Sequence, residues 1–371
     1  MPTKFSKRPF DASHTDCQNG AHVQTREETA STSTVTPDGA PSSSMSAQPL
    51  PSNPFQTGPN LERIPDDVLH ETLSYLPTLR DHHVLFGYNL TPPVIPSTLL
   101  VRSSTLRALS QTSRLLRSRC LAMAWQRIEL CGAKQNVSFY RAIGEATRTG
   151  TRVLKACPHL LPLIQTVSVV LTRYQSAEII PAFAACLATL PNLTTIQVIH
   201  AHSQMTTVIK NGFEGKQFPS VRRISLPPSA HEIIKSCPHL EEVTCTEGDG
   251  STIIGSLIKG KCQELRVIKG VDAPLKRLVK VVPNLRHIGV RMEANMTPLT
   301  DFPFLDTIEL IDNDNFGSQV AASYIGQASE VLKQNKSQAE KTVLLTKWTD
   351  TWHCGPYEND KAFVTRQVIK V

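Results

Sequence analysis

The sequence predicts an α/β chain: an N-terminal α-helical segment followed by a solenoid of about seven irregular strand–helix repeats, with a tail ahead of both. Three observations carry this. A short apolar frame recurs seven times between Pro162 and Leu310, helical patterns precede it, and the first 58 residues are rich in Ser, Thr and Pro.

Residues 1–58 contain 24 Ser, Thr or Pro and no Ile, Trp or Tyr. Such a segment buries too little apolar surface to offset its conformational entropy, so it is expected to be disordered. Order is expected from about Leu61. In LERIPDDVLHETLSYLP, Asp66 and Asp67 stand in a first helical turn, and Val68, Leu69, Thr72, Leu73 and Leu76 follow at helical spacing. Pro77 then stops the run. From Ser104 to Trp125 a second helical stretch places Leu106, Leu109, Leu116 and Cys120 near one face. Between the two, residues 82–104 read as an inserted Pro-rich loop.

The repeat has the frame x-x-[LV]-x-x-[IV]-x-[apolar or Gly], usually led by Pro. It starts at Pro162, Pro191, Pro219, Pro238, Gln263, Pro283 and Pro303, with separations of 29, 28, 19, 25, 20 and 20 residues. The last four residues of each unit alternate, as a half-buried strand does. Helix-like stretches lie between them, such as SAEIIPAFAACLATL, SAHEIIKSC, STIIGSLIKGKC and APLKRLVKVV. No unit of this size covers its own apolar face, so stacking into a curved solenoid is expected. After Leu310 the frame stops, and the stretch from Val320 to Trp348 reads as a helix closing the open end. The domains are thus a tail (1–58), a helical domain (59–130), a repeat domain (131–312) and a C-terminal cap and tail (313–371).

Composition narrows the function. Apolar residues make 40% of the chain, yet no run approaches the ~18 residues of a membrane span, so a soluble protein is expected. The N-terminus MPTKFSKRPF lacks the apolar core of a secretory signal. Nine Cys, an odd number without C-x-x-C, fit the reducing cytoplasm or nucleus better than a disulfide framework. In that setting the N-x-S/T matches at Asn89, Asn136, Asn192, Asn295 and Asn335 are chance. The net charge is +7, and residues 102–155 carry eleven Lys or Arg against Glu129 and Glu145. This fits an acidic partner, and equally a set of solvated helix faces.

No catalytic constellation is present: there is no G-x-S-x-G, no H-E-x-x-H and no Walker A motif, so neither an enzyme nor a cofactor is expected. His200 and His202 could share one side of a strand, but a third metal ligand is not evident. Cys157-Pro-His159 and Cys237-Pro-His239 read as one repeat position in which a small apolar Cys packs before Pro. Trp348 and Trp352, on either side of Asp350, read as core or capping contacts.

The stretch Ile64-Pro65-Asp66-Asp67-Val68-Leu69, with Leu73, Tyr75-Leu76-Pro77, Leu106, Leu109 to Arg114 and Leu116-Arg117, resembles an F-box. The repeated frame resembles a degenerate leucine-rich repeat, with Ile or Val for Leu and no clear Asn ladder. Together the two resemblances cover roughly 61–130 and 158–312, similar to fungal F-box proteins with leucine-rich repeats. One departure is the insertion of about two dozen residues between Asp81 and Leu106. It is thermodynamically tolerable as a surface loop, because closure entropy grows slowly with length.

The resemblance implies a substrate-recognition subunit of a Skp/cullin/F-box ubiquitin ligase. On that reading Ile64, Pro65, Val68, Leu69, Leu73, Leu76, Pro77, Leu109 and Leu116 bind the Skp-type adaptor, and through it a cullin, as helix-in-groove anchors. Arg114 and Arg117 suit an acidic adaptor. The outward strand positions, Thr195, Gln197, Arg223, Ser225, Glu242, Thr244, Lys269, His287, Thr307 and Glu309, would form a concave face for the target protein. They are mixed in sign and poor in aromatics, which argues against a nucleic-acid groove. The alternative is a protein-binding scaffold whose F-box-like helices only cap the repeats.

Overall fold

In the computed structural model the described residues are 61–80, 95, 97–131, 138–272, 275–279, 281–292, 294–312, 317–349 and 363–371. The tail 1–58 and most of the inserted loop lie outside them. The chain divides into two units, Met1–Gly58 and Pro59–Val371, and all that follows concerns the second.

The fold is α/β, built on a ten-stranded sheet that is mostly parallel and does not close. Helices α1 (Asp66–Ser74), α2 (Val101–Thr112) and α3 (Arg114–Gln126) come first, and α3 runs directly into β1 (Arg127–Leu130). Then follow α4 (Phe139–Ala156), β2 (Thr166–Leu171), α5 (Ser176–Leu187), β3 (Thr195–Ala201), α6 (Thr206–Phe213), β4 (Arg223–Leu226) and β5 (Glu242–Cys245). The remaining elements are α7 (Ser251–Gly260), β6 (Val267–Lys269), α8 (Lys276–Val279), β7 (His287–Arg291), β8 (Thr307–Asp312), α9 (Ser318–Gln334), β9 (Thr342–Thr349) and β10 (Phe363–Lys370). The strands lie in chain order, parallel up to β9, and β10 returns antiparallel to β9.

All seven framed segments enter the sheet, as β2 to β8. The first apolar slot of each (Ile164, Leu193, Val221, Leu240, Leu265, Leu285, Leu305) is at most 1% exposed, and so is the second (Val167, Ile196, Ile224, Val243, Ile268, Ile288, Ile308). The second-slot residues are direct partners across neighbouring strands, so they stack as one apolar row. Full burial of each such side chain contributes about 1.5–3 kcal/mol.

A second regularity joins the units at the strand entrances. The carbonyl of Gln165 accepts from the amides of Thr194 and Thr195, that of Thr194 from Arg222 and Arg223, and that of Arg222 from Glu241 and Glu242. Glu241, Arg266 and Arg286 repeat the pattern toward β6, β7 and β8. One carbonyl with two lone pairs thus satisfies two amides of the next unit each time. Asn192 and Asn284, at the same frame position, also donate their side-chain amides to the carbonyls of Pro162 and Gln263.

Elsewhere the structure departs from the sequence reading. The second helical stretch is two helices, because Ser113 adopts extended backbone and its Oγ accepts from Leu116 N at the start of α3. Residues 97–104, expected as loop, are a 3₁₀ turn (Ser97–Leu100) and the start of α2. The helix expected from Val320 to Trp348 ends at Gln334. There the Asn335 amide donates to the Phe302 carbonyl, its Oδ1 accepts from Ser337 N at 2.8 Å, and the chain continues as strand β9. Connections also differ in kind: SAHEIIKSC lies in a 3₁₀ helix, Pro228–Ser236, whereas 176–187 and 251–260 are α-helical.

Candidate functional site

Two surfaces carry the sequence expectations: the helical segment and the polar face of the sheet. In the helical segment, Leu69 and Leu73 of α1 pack with Leu106, Cys120 and Ala124 in a small core flanked by Ile64, Leu76 and Leu109. Leu69, Leu73 and, outside this cluster, Leu116 are buried, Ile64, Leu76 and Leu109 half-buried, and Pro65, Val68 and Pro77 exposed. Arg114 and Arg117 are exposed as well. The half-buried Arg119 side chain fixes the entrance of α1: its Nη2 donates to the Ile64 carbonyl at 2.6 Å and its Nε to Asp66 Oδ1 at 2.5 Å. What α1 and its C-terminal cap leave outward is an apolar pair, Val68 and Tyr75, seven residues apart and 49% and 77% exposed.

The register puts the expected target-facing residues on one face. Thr195, Arg223, Glu242, Val267, His287 and Thr307 align as one row, and Gln197, Ser225, Thr244, Lys269, Gly289 and Glu309 as the next. They are not a row of free side chains. Thr195, Gln197, Ser225, Thr244 and Glu309 are buried, Glu242, Lys269, His287 and Thr307 half-buried, and Arg223 alone is exposed. Parallel strands lie about 4.8 Å apart, so short polar side chains on such a face screen one another.

Two networks organise this face. Toward the first strands, Gln197 Oε1 accepts from Ser168 Oγ at 2.7 Å and from Arg127 Nη2 at 3.3 Å. Toward the last strands, Glu309 is the centre: it accepts from Thr346 Oγ1 at 2.7 Å, lies 3.1 Å from His287 Nε2, and 3.6 Å from Lys269 Nζ. Gly289 permits the last contact. A side chain at that position would meet the Lys269 stem at 3.1 Å, so Lys269 crosses over glycine to reach Glu309. Burial pushes the Glu309 pKa up, but the His287 hydrogen bond, the Lys269 charge and the Thr346 hydroxyl outweigh it and hold the carboxyl down at about 2.

At the junction of the two surfaces lies a cavity of about 770 Å³. The chain after α1 (Thr78 to Arg80), α2, the end of α3, the entrances of β1 to β4 and Arg366 of β10 line it. The segment after α1 is tied to the sheet, since Arg127 Nη1 donates to the Leu79 carbonyl and Leu79 is buried.

The remaining sequence candidates have local roles. His200 Nδ1 faces Glu247 Oε1 at 3.3 Å, while His202 accepts from Gln204 N, so the two imidazoles have separate partners. Among the described residues no three His, Cys, Asp or Glu are grouped to hold a metal ion. Cys157 and Cys237 each follow a helix, but a 3₁₀ turn (Pro158–Leu163) separates Cys157 from its strand, so the two positions are alike only at the helix end. Trp352 and Asp350 lie outside the described residues. No helix among those described is long and apolar enough to cross a membrane.

Sequence reasoning missed Arg119, Arg127 and Arg366 as organising side chains. The local excess of Arg and Lys over 102–155 was the available signal for the first two. No family model matches the chain, and no curated protein does.

Proposed function

We propose that the chain is a substrate-recognition subunit of a ubiquitin ligase of the Skp/cullin/F-box type, with α1–α3 as its F-box and β2–β8 as a leucine-rich-repeat solenoid that holds the target. The carrying observation is the apolar pair presented by α1 and its C-terminal cap. Val68 and Tyr75 stay outside although Leu69 and Leu73 already close the core beneath them. Of the ten exposed large apolar side chains among the described residues, Leu61, Val68, Tyr75 and Leu115 belong to this short helical segment. Apolar surface left on a small, separately cored helical unit is what a partner groove takes up. A target would meet the rim of the sheet face, at Arg223, Glu242, His287 and Thr307, rather than its buried centre.

A specific observation favours the scaffold alternative. Helix α3 passes into β1 without a linker, and Leu79 packs with Ile95, Cys131, Ile143, Val170 and Ile199 at the first end of the sheet. Helices placed this way cover a terminal strand, as a capping element does.

Co-purification of the full chain with a Skp-type adaptor separates the two. The burial of Leu69 and Leu73 makes them unsuitable probes, so the variant is Val68→Asp/Tyr75→Asp. A one-to-one complex that the variant loses, with its circular dichroism melt unchanged, supports the ligase reading. Well-folded wild-type protein that forms no complex leaves the scaffold.

A further inference from the structure

The sheet ends on a strand with one open side. β10 is last in the strand order, and among the described residues β9 is its one hydrogen-bonded neighbour. The ladder determines which backbone groups are left over. In an antiparallel pair, alternate residues turn both N–H and C=O toward the neighbour, and the residues between them turn both away. Val371, one step beyond the Lys370–Thr342 pair, donates its amide to the Lys341 carbonyl. Ile369, Gln367 and Thr365 share its phase and bond to β9. The N–H and C=O groups of Arg366, Val368 and Lys370 therefore point outward. Thr342, opposite Lys370, has the matching phase, since its amide turns away from β10 to the Asp306 carbonyl.

The same three residues set the chemistry beside that edge. Arg366 pairs in register with Thr346, and its Nη2 lies 3.7 Å from Glu309 Oε1, so Arg366, Val368 and Lys370 stand on the polar face of the sheet. Ile369 packs against the core on the other face. Val368 is 62% exposed between the two cations, and β10 carries no acidic residue. Each cation has one carboxylate partner within the chain, Glu309 for Arg366 and Glu340 for Lys370 at 2.6 Å. Both cations are nonetheless more than half exposed. A guanidinium has five donors and an ammonium three, so each has donors for a second carboxylate.

Charge selects the occupant. A row of unpaired backbone groups is a template for another strand, and edge cations admit only strands that do not repeat them. A second copy of β10 does repeat them. Val368 opposite Val368 sets Arg366 opposite Lys370, and Val368 opposite Arg366 makes the two Arg366 diagonal neighbours. A strand with carboxylates two residues to either side of an apolar side chain meets no such conflict. We propose that β10 takes up an extended acidic segment of another protein as an added antiparallel strand. Its carboxylates stand opposite Arg366 and Lys370, and its apolar side chain opposite Val368. Backbone bonds supply the attachment and the two cations supply the selection. The inference stands apart from both readings above, since a ligase subunit and a scaffold alike can hold a partner at this edge.

The test titrates the full chain with the labelled peptide Thr-Glu-Thr-Val-Thr-Glu-Thr, read by fluorescence anisotropy. Two control peptides run beside it: one with Lys at both Glu positions, and one with N-methylated Glu and Val that cannot donate to the edge. The acidic peptide should bind one per chain, and both controls should bind more weakly by about tenfold or more. Hydrogen exchange should slow at the amides of Arg366, Val368 and Lys370, which are open in the free chain. Val368→Pro removes an outward N–H and no bond to β9, so it should keep the circular dichroism melt and lose the peptide. Arg366→Gln/Lys370→Gln should weaken binding about fivefold. No binding, equal binding of either control peptide, unchanged exchange at the three amides, or full affinity in a folded Val368→Pro chain would each overturn the proposal. So would concentration-dependent dimerisation of the chain through β10, which would make a second copy the occupant.

Discussion

His287 on β7 and Glu309 on β8 meet through Nε2 and Oε2 at 3.1 Å, at the centre of a polar network that includes Lys269 and Thr346. Since the Glu309 carboxyl is held at about 2 when folded and titrates near the ordinary glutamate value when unfolded, its contribution has a definite sign. It is fully present above about pH 4.5 and is lost as pH falls toward 2. Denaturant titrations should therefore show Glu309→Gln less stable than wild type by on the order of 3 kcal/mol at neutral pH. The gap should narrow steadily below about pH 4. A gap independent of pH would refute the network's electrostatic role.

Arg119 and Asp66 offer a contrast within one interaction. The Arg119 side chain is 12% exposed and Asp66 71% exposed, so their ion pair is a surface pair on one side only. Arg119→Met should cost about 1–3 kcal/mol, because the Ile64 carbonyl loses its donor, while Asp66→Asn should stay within about 0.5 kcal/mol. Hydrogen exchange of the α1 amides is the direct readout, and equal effects of the two substitutions would contradict this division.

Two glycines, one capping α7 and one inside it, should respond oppositely to alanine. Gly250, just before α7, has φ +78°, and an added Cβ would lie 2.6 Å from Val271 Cγ1. Gly255, inside α7, has open space around it. Gly250→Ala should lower stability by about 1–3 kcal/mol and Gly255→Ala should raise it by about 0.5–1 kcal/mol, read from chemical denaturation midpoints.

Thiol labelling should pick out one described cysteine. Cys120, Cys131, Cys186, Cys237, Cys245 and Cys262 are buried free thiols and Cys157 is half-buried. Burial pushes the thiols of Cys131 and Cys237 far up and that of Cys245 up to about 11, which suppresses the reactive thiolate. In a Cys17→Ser/Cys354→Ser background, one thiol, Cys157, should react rapidly in the native protein and the other six only on unfolding. Rapid modification of Cys237 or Cys262 would count against the packing described.

The strands that the sequence showed were those led by the recurring frame, since slots such as Leu193 and Ile196, or Leu285 and Ile288, return at the same offset in seven successive units. β1 was missed because four residues with Ile128 and Leu130 inward carry too little pattern. β9 was missed because Leu344 and Leu345 are adjacent and continue an apparent helical stripe. The signal that ends that stripe is Asn335, a residue type that commonly closes a helix. The orientation of the polar row was legible from alternation, but its burial was not. Glu309 is enclosed by Thr346, which follows 37 residues later, and no local pattern encodes that meeting.

The paired-amide carbonyls at the strand entrances also bear on how this chain can change length. Each unit is fastened to the next at one backbone point just before its strand, and the framed residues follow at once. Whatever lies between one strand's end and the next fastening point is free in length, which is how separations of 19 and 29 residues coexist in one uninterrupted sheet. Insertions and deletions in those connections should leave the pairing untouched, whereas a single residue added between Arg286 and Ile288 would turn an apolar row outward.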